Sequence, residues 1–364
     1  MTRPSNDIAQ RRLATQHLLT PTLTDPADVV RRLGAVQAQD YGSAKWGVGT
    51  RTRGAVDAVV ERAVNEGSIL RTHVLRPTWH FVTPADIRWM LALTAPRIKA
   101  AMAYYDRQLE LDAAVFQRSN SALSRALRDG TQLTRAELAQ VFRGARVDAT
   151  GSGRLGPLLM RAELEGIVCS GARRGKQSTY ALLDERAPPA APLGRDEALL
   201  DLTGRYFATR GPATRRDFAW WAGLTVADAI SRGVEIAGRR LERQVIGDET
   251  YWLEPAARPR RKRSPTAHLL PNYDEYFIGF KDRSAIGERL SLAEDAIVGD
   301  ALRAHVIVVN GQLVGGWKRT LTKAALVVEV TLLVSLSKPE RDAVDGAAQG
   351  LGAFLELPVE VRGL

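Results

Sequence analysis

Within "LGAVQAQDYGSAKWGVGTR", residues 33–51, Gln37 and Gln39 flank a single alanine, and Asp40 follows directly. A helix would send the two amides to different faces, whereas an extended segment sends both to the same side. Amides do not titrate; each offers a carbonyl acceptor and an NH2 donor pair at fixed geometry. Their chemistry is therefore orientation, whether of a water, of a developing charge or of nearby backbone near a helix end. Asp40 adds the one carboxylate of the stretch, either as an electrostatic partner or as the cap of the next turn.

Other residue types that carry chemistry lack the spacing for it. His17, His73, His80, His268 and His305 show no zincin pattern and Cys169 stands alone, so no metal site, cofactor or disulfide is expected. His73 and His80 could face each other across a hairpin. "GSGRLG", Gly151 to Gly156, matches the dinucleotide fingerprint in letters, but it follows "FRGARVDAT" rather than a hydrophobic strand. There is no GxSxG elbow, and adjacent acids such as Asp274 and Glu275 are too common to name a hydrolase. Trp220 and Trp221, adjacent in a helical segment, read as core.

The elements that must position these residues recur in one order, short helices closed by a hairpin. In the middle of the chain, Thr134 and Glu137 form a capping box, "RLGPLLMRAELEGIV" has helical spacing, and "IVCSGARRGKQSTYALL" reads as strand, basic turn, strand. This is winged-helix order, and the turn cations Arg173, Arg174 and Lys176 suit phosphate. Downstream, a helix, a short helix after Thr214 and a third near Thr225 precede a hairpin turning at Gly247 and Asp248. At the N-terminus, Asp25 and Pro26 open a helix, and "LRTHVLRPTWHFV" supplies the hairpin that carries Arg76, Thr78 and His80.

The fold expected is mainly α with β: three tandem winged-helix modules and a β-rich C-terminal domain. The boundaries are 1–85 for the first module, 86–120 for a helical connection, 121–186 and 187–257 for the second and third modules, and 258–364 for a basic linker and the C-terminal domain. That last domain should be a small sheet or a partial barrel. The linker run "RPRRKRSP" includes Arg260, Arg261, Lys262 and Arg263, a candidate phosphate-contacting arm.

A net charge of +10 implies attraction to polyanions. The N-terminus lacks a signal-peptide core and no apolar run reaches membrane length, so a soluble cytoplasmic protein is expected.

Taken together, "LGAVQAQDYGSAKWGVGTR", "LRPTWHFVTPADIRWMLALTAPR" and "LLPNYDEYFIGFKDR" resemble the winged-helix DNA glycosylase family, the AlkZ group linked to azinomycin resistance and its YcaQ-like relatives. The resemblance runs over nearly the whole chain. It implies a C-shaped body of three winged helices and removal of N7-alkylated purines, including bases in interstrand crosslinks. The family motif, glutamine, any residue, then glutamine or aspartate, falls on Gln37, Ala38 and Gln39, the AlkZ-type form. By that resemblance Gln37 and Gln39 are the catalytic pair, with Asp40 a possible accessory. Arg76, Thr78, His80, Arg173, Arg174, Lys176 and Arg260 to Arg263 are the DNA-binding set. The partner implied is double-stranded DNA carrying alkylated purines, bound by a monomer. The competing expectations are a non-catalytic winged-helix regulator and a protein that sequesters an alkylating natural product. Three modules in one chain weigh against the regulator, because such regulators present one module and dimerise on palindromes.

Overall fold

The computed structural model of the chain describes residues 4–149, 153–228, 241–255, 264–290, 305–322 and 324–364. Two stretches repeat one element order. The first is α2 (Pro26–Leu33), β1 (Val36–Gln37), α3 (Tyr41–Gly49), α4 (Asp57–Glu66), β2 (Leu70–His73) and β3 (Trp79–Val82), following the N-terminal helix α1 (Pro4–Thr15). Its three strands pair antiparallel in the order β1-β3-β2. A long helix, α5 (Pro84–Gln108), leads to α6 (Ala113–Ala126), β4 (Leu133–Thr134), α7 (Arg135–Gly144), α8 (Leu155–Leu164), β5 (Val168–Ser170) and β6 (Thr179–Leu182), with strand order β4-β6-β5. The boundary expected at residue 120 therefore falls inside α6, and residues 153–156 lead into α8 downstream of helix α7 rather than after a strand.

The third stretch begins with the short α9 (Leu183–Arg186), then α10 (Arg195–Arg210) and α11 (Arg215–Ala222), and closes with the hairpin β7 (Glu242–Ile246) and β8 (Glu249–Leu253). Ala213 bridges Trp252, in the place of a first strand. The helix expected near Thr225 falls largely outside the described residues, which stop at 228 and resume at 241.

Local chemistry sets these starts and stops. The Asp25 carboxylate accepts from Ala27 N–H ahead of Pro26, and Thr134–Glu137 and Thr214–Asp217 form reciprocal capping boxes. Between β2 and β3 the turn is tight. Leu75 has φ 63°, and a Cβ on Gly223 would lie 1.9 Å from the Leu75 carbonyl oxygen. A glycine at the end of α11 is thus what lets the third stretch touch the first hairpin.

After β9 (Ala267–Leu270) and the helical turns α12 (Glu275–Ile278) and α13 (Ser284–Gly287) come β10 (His305–Val309), β11 (Gln312–Leu321), β12 (Leu326–Leu332), helix α14 (Lys338–Leu355) and β13 (Val359–Arg362). They make one open sheet in the order β13-β12-β11-β10-β9, so of the two expected forms it is the small sheet and not the barrel. The sheet is not an independent domain either. Its residues Leu269, Ile307, Val314 and Trp317, with Phe354 of α14, share one core with Val29, Trp46, Val64 and Phe81 of the first stretch. Helix α1 packs Ala9 and Leu13 against Leu270, Tyr276 and Phe277.

Two buried ion pairs pin the segment after β9. The turn Pro271–Asp274 is closed by Asp274 N–H to Pro271 C=O, with Tyr273 at φ 62°. Arg51 then grips both carboxylate oxygens of Asp274 at 2.8 Å, each side chain 1% exposed. A bidentate geometry of this kind offsets desolvation only while both partners are present. Asp274→Ala should lower unfolding free energy by about 3–5 kcal/mol, read from urea denaturation, with Asp274→Asn losing less.

Candidate active site around Gln37 and Gln39

β1 is extended, and the ladder continues past it through Ala38 N–H to the Trp79 carbonyl at 2.7 Å. Val36 and Ala38 are buried in the core shared with the C-terminal sheet. Alternation along β1 turns Gln37 to the face opposite Val36, and Gln39 follows in a bend just past the strand. Gln37 is 8% exposed, whereas Gln39 lies open to solvent.

Each amide is held. Arg76 donates Nη2–H to Gln37 Oε1 at 2.8 Å, and because a guanidinium only donates, the atom facing it is the carbonyl oxygen. The Trp79 N–H approaches Gln39 Oε1 at 3.4 Å. Each carbonyl oxygen keeps a second lone pair, and each NH2 group points away from its donor. The amides are thus oriented dipoles.

Two buried carboxylates support this face from behind. Glu275 accepts the Gln37 N–H on Oε1 at 2.8 Å, and on Oε2 it accepts Arg210 Nη2 at 2.6 Å and Trp221 Nε1 at 2.8 Å. Arg210 also donates to the carbonyls of Leu33 and Ala35, which fixes the chain entering β1. From the second stretch, Glu163 accepts His73 N–H at 3.0 Å, Trp79 Nε1–H at 3.3 Å and a close contact from His73 Nδ1. Arg71, stacked 4.3 Å over Trp79, donates to Ala38 C=O at 2.9 Å and towards Gln39 C=O at 3.4 Å. The sequence offered only weak signals for Glu275, Arg210, Glu163, Arg71 and Trp79. A carboxylate inside the apolar run "NYDEYFIGF" was the one clue to the first of them.

Asp40 is the N-cap of α3, its Oδ1 accepting Ser43 N–H at 2.8 Å. Of its two possible roles, the capping one is occupied. Burial pushes the Arg76 pKa down; nearby Glu275 opposes this, while Arg210 and Arg283 add to it. Thr78 is half-buried in the turn.

His80 is fully buried and pairs across the sheet with Gln37 and Thr72, while His73 lies opposite Trp79, so the two histidines are not direct partners. A side chain with no accessible surface makes no phosphate contact in this conformation, which corrects the expectation for His80. Burial, followed by the Arg76 charge, holds its pKa well below the usual value, and Nδ1 pairs with the Thr78 carbonyl. His80 is therefore a neutral packing group beneath Gln37.

Of the second hairpin's cations, Arg173 is largely buried between Glu61, at 3.3 Å, and the Tyr41 ring, at 4.3 Å, and its N–H donates to Asn65. It ties the second stretch to the first, and its guanidinium faces inward rather than to the surface where phosphate would lie. Arg174 is exposed but hydrogen-bonded to Glu137 and Gln132, and Lys176 is exposed. Arg260, Arg261, Lys262 and Arg263 lie outside the described residues.

The C-terminal sheet brings a further group to the same rim. His305 stacks on Trp317 with centroids 4.4 Å apart and accepts the Asn272 N–H on Nδ1 at 2.9 Å. Burial, then Arg319, lowers its pKa to about 4, with Asp40 opposing. At neutral pH it is an uncharged ring.

Comparison with known proteins adds to this geometry. The family described as DNA glycosylase AlkZ-like matches residues 30–354. A Streptomyces sahachiroi protein named interstrand DNA cross-link repair glycosylase is 27% identical over 334 residues, covering 84% of this chain and 85% of its own. The solved structure of the DNA glycosylase AlkZ from Streptomyces sahachiroi superposes with a TM-score of 0.76 at 21% identity, covering 99% of this chain and 100% of that one.

The neutral His305 makes stability depend on pH. Between the unfolded value of 6.5 and the folded value of about 4 the unfolded chain binds more protons. Its contribution is fully present above the unfolded value and is lost as pH falls through the folded one. Thermal unfolding should therefore shift to lower temperature as pH falls through that window, and more shallowly in His305→Gln, which keeps an acceptor for Asn272.

Proposed function

Because this chain belongs to the AlkZ-like DNA glycosylase family, we propose that it hydrolyses the N-glycosidic bond of N7-alkylated purines in duplex DNA, with Gln37 and Gln39 as its catalytic residues. The observation that supports this most is that each amide oxygen is met by a donor, Arg76 at Gln37 and the Trp79 N–H at Gln39. An N7-alkylpurine already carries positive charge. When the bond from the sugar C1′ to N9 breaks, the electron pair passes to the base, which leaves neutral, and the positive charge develops on the sugar. A water oxygen then bonds C1′ and its proton goes to solvent.

Such a reaction needs no acid to protonate the leaving group and no strong base. What it needs is a placed water and a negative dipole end near the oxocarbenium, and the second lone pairs of the two amide oxygens supply both. Arg76 beside Gln37 lies near Glu275, whose carboxylate is shared with Arg210. With water as nucleophile and no covalent enzyme intermediate, the product is an abasic site and the enzyme is monofunctional.

The repeated order of helices and hairpins supports three winged-helix modules along the chain, working as a monomer. Gln39 is exposed rather than enclosed, and a base tethered to the opposite strand cannot be flipped into a closed pocket. An open catalytic face of this kind favours the unhooking of interstrand crosslinks, the activity in the name of the Streptomyces sahachiroi relative. Self-resistance of a producer of a DNA-alkylating natural product is the physiological setting that fits.

A duplex with a single N7-methylguanine provides the test. The intact protein should generate alkali-labile abasic sites without cleaving the strand itself. Gln37→Ala and Gln39→Ala should each slow single-turnover release by about 100-fold, the usual scale for losing one oriented dipole, with duplex affinity preserved. Tight duplex binding with no release above spontaneous depurination would leave the chain a non-catalytic binding protein.

A further inference from the structure

Behind the hairpin turn that carries Arg76 lies a groove of about 460 Å³, walled by the turn itself, by α5 and by α11. Four cations line it, Arg76, Arg97, Arg216 and Lys281, together with the indole of Trp220, and among the described residues no carboxylate does. A cavity beside α6 includes Glu165, and one beside the third hairpin, which shares Arg216 with the groove, includes Asp248 and Glu249. Arg216 approaches Glu249 at 3.9 Å with its side chain 70% exposed, Arg97 lies near enough to Asp228 to help lower its pKa, and Glu275 lies near Arg76, while Lys281 makes no ion pair among the described residues.

Trp220 is not the core residue that the sequence indicated. Trp221 is fully buried, whereas Trp220 is 42% exposed. Its Nε1–H donates to the Ile278 carbonyl at 3.2 Å, which fixes the ring, and the Arg76 guanidinium lies 5.9 Å from its centroid. A large aromatic ring at the surface among four cations is the composition of a nucleic-acid backbone site: cations for phosphates and a flat apolar surface for the sugar between them.

We propose that this groove binds the phosphodiester backbone of DNA beside the lesion, with Arg97 and Lys281 as its principal phosphate contacts and Trp220 against the deoxyribose. Arg76 belongs to both sites. It lines the groove and donates to Gln37 Oε1, so a strand seated there rests directly behind the amide that orients the water. The assignment rests on DNA being the substrate, but not on which base is released.

The double variant Arg97→Ala/Lys281→Ala tests it, since both side chains are exposed and neither makes an ion pair among the described residues. Anisotropy titrations of an undamaged labelled duplex over a range of KCl concentrations should show weaker binding, on the order of tenfold. The slope of log affinity against log salt should become shallower by about 1.8, the release expected for two lost phosphate contacts. An unaltered slope and affinity would overturn the proposal. So would saturable quenching of Trp220 fluorescence by inorganic phosphate at constant ionic strength, absent in Trp220→Phe, together with an unaltered duplex slope, because the groove would then serve a small free anion. A shallower slope in a protein that releases no base would refute the catalytic reading while leaving the groove in place.

Discussion

The Glu275 carboxylate is the constraint on which the site depends. Burying a carboxylate and a guanidinium together costs several kcal/mol per ion, offset only when the remaining lone pairs and protons are also satisfied. Here they are: one oxygen takes the Gln37 N–H, and the other takes Arg210 and the Trp221 indole. Arg210 in turn holds the carbonyls of Leu33 and Ala35. The first stretch, the third stretch and the segment after β9 therefore meet at one charge pair, and β1 is positioned from three directions. Glu163 does the same for the hairpin from the second stretch, through His73 and Trp79. Gln37 sits on a strand clamped between two buried acids, with Gln39 just past its end.

This arrangement separates charge from chemistry. The buried carboxylates fix the backbone, while the groups the proposal assigns to the substrate are amides, and burial lowers the pKa of His80 and His305. A site of that kind offers orientation and little proton transfer. On the proposed reading it suits a substrate that supplies its own leaving-group activation and would leave ordinary uncharged bases almost untouched. Selectivity would then come from the electronic state of the base rather than from a tight pocket around it, which is compatible with an exposed Gln39.

Much of the local structure was legible in the sequence. Asp25 before Pro26 and the two capping boxes have mechanisms that act within three or four residues, and the Gln37–Ala38–Gln39 spacing carries its own instruction once the segment is extended. Trp220 and Trp221 could have been separated on the same basis, because neighbours on a helix point about 100° apart and one side only faces the core. What could not be read was long-range. Glu275 reaches Gln37 across 238 residues of sequence, and no local pattern tells such an acid from a solvated one. Arg173 looked like a phosphate contact because its neighbours in the turn are basic, yet Glu61 and Tyr41, brought near by the fold, turn it inward. Charge counts give the sign of a surface and cannot assign its members.

The most direct measurement compares base release from duplexes that differ only in the charge of the target base, one with cationic N7-methylguanine and one with neutral hypoxanthine at the same position. Single-turnover rates, each divided by the spontaneous rate, would be read under identical conditions. Catalysis by oriented amides predicts rapid release of the cationic base and none measurable for the neutral one, since nothing at the site protonates a leaving purine. Comparable release of hypoxanthine would contradict the account, because it would require an acid that Gln37 and Gln39 cannot supply.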